Sequence, residues 1–416
     1  MKVLVLGSGV IGVTAAYFLS RAGHDVTVVD RRAGPGEETS FANGGQISAS
    51  LAEPWANPDV LRNLLGWLGR RNAPLAFHLR ADTALWGWAL RFLKNCTAER
   101  SAANLERALR LALYSRGELR AIRETTGIRY DERMEGVLKF YRSARDFESA
   151  RRRMESMNAL GANLHALDPK ACLATEPALA AIAEEIAGAV YSPEDESGDA
   201  HAFTVKLGEE AARLGARFAF NQTIEALVPK EGRIDRVVTD RGHVTADAIV
   251  LSLGSYSSLL LRPLGMRLPI YPAKGYSVTL PIRDSNRAPS RSITDEGKKL
   301  VFGRFGDRLR VAGRAEFKGF DTKIEPARCQ ALARDLEAVF PGAADQERPA
   351  CWAGLRPLTP DTLPILGPSP FSNLFLNTGH GTYGWTLAAG CGRILADLVE
   401  GARPAIEIGD FSSKRF

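Results

Sequence analysis

The sequence has few cysteines and commits none of them to a motif. Five occur in 416 residues, at Cys96, Cys172, Cys329, Cys351 and Cys391, and no two are close enough to form a CxxC pair. That spacing excludes a local zinc or iron–sulfur knuckle, and an odd, scattered set argues against a disulfide framework. Reduced thiols in a cytoplasmic protein are expected instead. Long apolar runs are also missing. No stretch approaches the ~20 apolar residues of a membrane span. The opening MKVLVLGSGVIG carries a short apolar run that passes straight into glycines, unlike a signal peptide. Internal repeats, low-complexity tracts and flexible linkers are lacking too. Neither sign of charge dominates. The net charge of +6 is mild and evenly spread, and no basic tract is clustered, so no nucleic-acid partner is expected.

What is present is a globular composition, 45% hydrophobic and 25% charged, on a chain long enough for two domains with good cores. Residues 2–6 (KVLVL) have the β-branched and leucine content of a strand buried on both faces. Gly7, Ser8, Gly9, Val10, Ile11 and Gly12 follow as a GxGxxG, then a helix over 13–22 and a second strand over 25–29 that ends in Asp30. In such a unit Gly7 permits the tight turn, Gly9 lets the backbone approach a pyrophosphate, and Gly12 lets helix and strand pack closely. The helix N-terminus offers free N–H groups to the phosphates, and Asp30 can accept from a ribose hydroxyl. The whole unit, Val3 and Leu6 included, predicts a dinucleotide site. Arg31 and Arg32 leave a 2′-phosphate open. Two later stretches favour FAD: ETSFANGGQIS at 38–48, with Thr39, Ser40, Asn43, Gly44, Gly45, Gln46 and Ile47, and GHGTYGWTLAAG at 379–390.

The remainder alternates in character. Residues 51–197 are mainly helical and rich in arginine, with a strand near 136–142. A helix over 203–214 precedes strands at 216–221, 236–239 and 245–251. Short strands between turn residues make a meander over 264–340. The expected fold is α/β: a Rossmann-like FAD-binding domain of the glutathione-reductase type from residues 1–50, 198–262 and 346–416. An α+β substrate-binding domain on an antiparallel sheet, from 51–197 and 263–345, is inserted into it. Near the end, 374–377 is predicted as a strand, 379–384 as a glycine loop and 385–400 as a helix whose N-terminus the loop delivers.

Together ETSFANGGQIS, YPAKGYSVTLPI, GLRPLTPD and NTGHGTYGWTLAAGCGRILADL span nearly the whole chain. They resemble the FAD-dependent D-amino-acid oxidase and glycine oxidase family, and within it the bacterial dehydrogenases of D-amino acids. The resemblance implies oxidative deamination of a D-amino acid such as D-alanine to a 2-oxo acid and ammonia. Hydride passes to flavin, and electrons go on to a membrane quinone or another carrier. It implies that the strand end at Gly254 closes over the cofactor, that Ile224 touches adenine through its backbone, and that Gly354 adjoins the site. The helix N-terminus after Gly379, Gly381, Thr382 and Gly384, with Trp385 and Thr386, would point at the flavin ring, where its dipole stabilises negative charge on reduction. Two other assignments stay open: an oxidase or dehydrogenase of glycine, sarcosine, D-proline or hydroxyproline, and a flavoprotein of tRNA modification.

In flavin chemistry the cofactor carries the reaction and the protein binds and orients. The residue to find is therefore a cation for a carboxylate, not a nucleophile or a metal. Arg356 is the first candidate, because a guanidinium grips carboxylate through a two-point fork and the resemblance places such a pairing there. Lys274, Tyr276 and Tyr271 are second-rank pocket candidates, and His380 could line the pocket or tune the flavin. Residues 58–95 hold Trp67, Trp86 and Trp88, just after Trp55, among arginines and lysines. Amphipathic helices of this kind can lie on a membrane, so peripheral contact with the inner face of the cell membrane is expected there.

Overall fold

The computed structural model describes residues 1–60, 75–77 and 81–416. Two sheets organise the described chain. The first has six strands in the order Ile365–Pro368, Leu374–Thr378, Ala248–Leu251, Lys2–Leu6, Asp25–Val29 and Arg217–Ala219. All neighbours are parallel except Ile365–Pro368, which runs antiparallel to Leu374–Thr378. Lys2–Leu6 is central, and four of its five residues are buried, as a strand covered on both faces requires.

Helices Val10–Arg21, Ala200–Arg213 and Gly384–Val399 share one core against this sheet. Val10–Arg21 and Gly384–Val399 approach closely through Gly392, where an added Cβ would lie 2.8 Å from the Thr14 side chain. Gly390 does the same against Ser115 of the long helix Ala98–Thr126, again at 2.8 Å. Part of the C-terminal glycine run therefore serves helix packing.

The second sheet has nine strands and is mostly antiparallel. Two of its neighbours are parallel: Val137–Tyr141 with Ser292–Asp295, and Leu75–Phe77 with Arg308–Phe317. At one edge Ala350–Leu358 pairs with Tyr271–Pro281, which pairs in turn with Arg308–Phe317. Ala350–Leu358 falls in the sequence range expected for the nucleotide domain, yet it is hydrogen-bonded into this large sheet. An isolated bridge between Leu358 and His380 links that edge to the glycine loop. The helix over 13–22 begins earlier than the sequence suggests, at Val10, so that Gly9 is its N-cap.

Candidate active site

One cavity of about 1530 Å³ lies between the two sheets, above the roughly 300–1,000 Å³ of a drug-sized ligand site. At one end it is lined by Gly7, Gly9, Val10, Ile11 and Asp30; Arg31, Arg32, Thr39, Ser40, Asn43, Gly44, Gly45 and Gln46 extend the wall. Ile224 and Gly254 lie on it, and so do Gly354, Gly381, Thr382, Gly384, Trp385 and Thr386. Val3, Leu6, Ser8, Gly12, Ile47, Gly379 and Lys274 are not on that wall. Val3, Leu6 and Ile47 are core side chains. Ser8 is bonded to Asp30 through its N–H at 2.6 Å and its hydroxyl at 2.9 Å. A Cβ on Gly379 would meet Thr359 at 2.8 Å, so this glycine seats the loop on its neighbour.

The glycines of the first turn divide the work as steric reasoning requires. A Cβ on Gly12 would sit 1.9 Å from the Gly7 carbonyl oxygen, so Gly12 is fixed by packing. A Cβ on Gly9 would meet only the Ser40 hydroxyl, at 3.6 Å, and Gly9 is on the cavity wall. Two helices, Val10–Arg21 and Gly384–Val399, begin at this cavity and direct their N-termini, the positive dipole ends, toward it. Side-chain polar atoms of Ser252, Asn377, His380 and Trp385 are buried on the same wall with no partner among the described residues. Buried polar atoms are rarely left so, and this many converging on one cavity fit a polar ligand with several acceptors and donors.

The charged groups near the ribose position are already partly engaged. Asp30 also accepts from the Arg32 N–H at 2.8 Å, and Arg31 and Arg32 both pair with Glu38. The Arg31 guanidinium stacks on Tyr256 at 4.1 Å. Thr39 donates to the Leu355 carbonyl, Ser40 accepts from the Val10 N–H, and Asn43 accepts from the Gly45 N–H. Gln46 is held by Ser292 and Thr294, and Thr386 accepts from the Ser48 N–H.

On the large-sheet side, Arg356 projects from Ala350–Leu358. Its guanidinium lies over Gly275, where an added Cβ would come within 2.3 Å of Nη1, and Nη1 donates to the Arg314 carbonyl at 2.8 Å. Among the described residues no carboxylate pairs with it. Burial pushes its pKa down to about 10, still high enough to remain charged. Trp352 lies on the same strand face, with its ring over Gly354.

Strand alternation decides the second-rank candidates. Lys274 and Tyr276 fall on the opposite face from Gly275. Lys274 is fully buried, donating to the Lys323 carbonyl and lying 3.5 Å from Asp321. Tyr276 has its ring in the second core and donates to buried Glu316 at 3.2 Å, so only part of it adjoins the cavity. Tyr271 is beyond the cavity, under helix Thr83–Asn95, and donates to its N-cap Asp82 at 2.8 Å. His380 is on the wall, and burial depresses its pKa to about 3, so it is neutral at physiological pH. Sequence reasoning missed Gly275, Arg314, Trp352 and Asn377. Only Gly275 carried a signal, as a glycine inside a strand, which marks close approach.

A nucleotide-type parallel sheet with two helix N-termini on one cavity, and a half-buried guanidinium on the same wall, define the class as a dinucleotide-dependent enzyme. The family model described as FAD dependent oxidoreductase matches residues 2–398, and the chain belongs to that family. FAD is its cofactor, and the wall described above fits it. The chain is 51% identical to a D-amino acid dehydrogenase of Paramagnetospirillum magneticum, over 100% of this chain and 99% of the relative. It is 47% identical to one of Rhizobium johnstonii, over 100% of both. Among solved structures, glycine oxidase from Geobacillus kaustophilus shares the fold with a TM-score of 0.78 at 23% identity, over 100% of this chain and 99% of that one.

Proposed function

We propose that the protein oxidises D-amino acids, with D-alanine as the reference substrate, to 2-oxo acids and ammonia. The observation that carries this reading is Arg356, a half-buried guanidinium on the cavity wall with one backbone acceptor and, among the described residues, no carboxylate. A charge so placed calls for an anionic partner, and the α-carboxylate of an amino acid supplies it in a two-point pairing. Bound FAD supplies the hydride acceptor. With its carboxylate held, the substrate presents Cα from a fixed direction, which is the positioning part of catalysis. The amine must be neutral for the Cα hydrogen to leave with its electron pair, so one proton leaves the ammonium first. The imino acid then takes up water and releases ammonia. His380, uncharged, adds no competing cation near Arg356. Val301, Ala312, Ala315 and Trp352 offer an apolar wall for a small side chain. The proposed binding residues for FAD are Gly7, Gly9, Val10 and Ile11 of the first turn, Asp30, the cavity-lining residues of the 39–46 segment and the 381–386 loop and helix start.

The two electrons leave through a carrier, and a membrane quinone is the proposed one. Helix Thr83–Asn95 supports contact with a bilayer surface. It exposes Trp86 (49%), Leu90 (63%) and Leu93 (43%) beside Arg91 and Lys94, an interfacial pattern. Trp88 does not share it: its ring is buried against Phe92 and Phe317 and its N–H donates to the Leu358 carbonyl. Trp67 is outside the described residues. No described helix is long and apolar enough to cross a membrane. The test is a screen of the holoprotein against D- and L-amino acids with an artificial electron acceptor. Reduction by D-alanine, with D-alaninamide a poor substrate, is expected. Equal turnover of amide and acid would overturn the reading.

A further inference from the structure

Two features of the large sheet meet under Arg356. Gly275 is its diagonal neighbour in the pairing of Tyr271–Pro281 with Ala350–Leu358, where Ala273 is opposite Arg356 and Gly275 is opposite Gly354. Across the other edge, Tyr276 pairs with Gly313 and Lys274 with Glu316. Two steps on one strand thus face three on the other, a β-bulge at Arg314 and Ala315. Arg314 has φ 59°, left-handed for a non-glycine residue. Bulges re-aim groups beside functional sites, and here the re-aimed group is the Arg314 carbonyl, which accepts from Arg356 at 2.8 Å. The Arg314 side chain is tied to Asp335 at 3.0 Å, which anchors the bulge to helix Pro326–Val339.

We infer that Gly275 and the Arg314 bulge are positioning elements: the missing side chain at 275 and the turned carbonyl at 314 together fix the direction of the Arg356 guanidinium. This rests on the reading of Arg356 as the carboxylate ligand. Geometry makes Gly275 separable from folding. Its backbone is not left-handed, and the three atoms nearest an added Cβ are Nη1, Cζ and Nη2 of Arg356, at 2.3–2.5 Å. These are the far end of a flexible side chain. An alanine there moves the guanidinium and leaves the sheet in place.

The test compares Gly275→Ala, Arg356→Ala and the double variant as holoenzymes. Three quantities are read: KM and kcat on D-alanine, propionate binding followed by perturbation of flavin absorbance, and Tm. Gly275→Ala should keep its flavin and Tm, raise KM and weaken propionate about tenfold to a hundredfold, as a misplacement near 1 Å does, and lower kcat less. Propionamide, without the charge, should show no such loss. The double variant should be no worse than Arg356→Ala alone, and Gly275→Ala should cost less in an Arg356→Lys background, where no planar group overlaps the methyl. An unchanged KM in Gly275→Ala, an equal loss in both backgrounds, or a failure to fold would overturn the inference while leaving Arg356 in its role. An Arg356→Ala enzyme that binds propionate like the wild type would overturn both.

Discussion

Gly9 and Gly12 stand three residues apart in one motif, and the structure separates their duties. Gly12 is closed in by the Gly7 carbonyl, so Gly12→Ala should cost at least the ~1–3 kcal/mol of an overpacked core, read as a lower urea midpoint. Gly9 borders the cavity with little around it. Gly9→Val should therefore fold with unchanged apoprotein Tm and lose most of its flavin absorbance; full flavin content would contradict the placement. His380 gives a pH prediction. Its folded pKa is lowered from 6.5 to about 3, so the unfolded state binds a proton that the folded state refuses. Stability is full above the unfolded value and is lost as pH falls from 6.5 toward 3. His380→Gln should flatten that part of an acid-unfolding profile.

At the scale of elements, the strand–turn–helix unit of residues 2–29 was legible because each local signal agrees with the next: buried apolar strand, glycine turn, packed helix. The C-terminal strand, loop and helix were legible for the same reason. The strand face on which Lys274 and Tyr276 lie was not, because their register is set by pairing with residues 350–358, far along the chain. Arg356 could be singled out from its motif, but its seat on Gly275 could not, since the two meet only across a sheet. Long-range charge pairing was equally hidden. Glu53 accepts from Lys139 at 3.1 Å and from Arg153 at 3.2 Å. The two cations hold its carboxyl down to about 2 against the cost of burial, so this contribution to stability is lost as pH falls from 4.5 toward 2. Lys139→Met leaves Glu53 with Arg153 as its hydrogen-bonding cation and the charge of Lys299 nearby, and should destabilise by ~3 kcal/mol, the low end for breaking a buried pair, measured by urea unfolding.

At the scale of the whole molecule, a nucleotide-binding layer and a mixed sheet enclose one cavity, and helix Thr83–Asn95 covers the large sheet beside Arg356. Its buried side, with Leu85, Trp88 and Phe92, is core, while its exposed apolar residues support a bilayer contact. Replacing Trp86, Leu90 and Leu93 by Ser should shift protein from membrane to soluble fractions with dye-linked activity retained; a wild type found wholly in the soluble fraction would contradict it. The central claim is that Arg356 receives the substrate carboxylate, and one measurement tests it most directly: kcat/KM on D-alanine for Arg356→Ala, with flavin content monitored. Losing one side of a buried charge pair costs ~3–5 kcal/mol, or about two to four decades in kcat/KM. The account predicts a loss of that size with FAD retained and with Arg356→Lys recovering only part of it, since an ammonium keeps the charge without the fork. An Arg356→Ala enzyme with unchanged kcat/KM would contradict it.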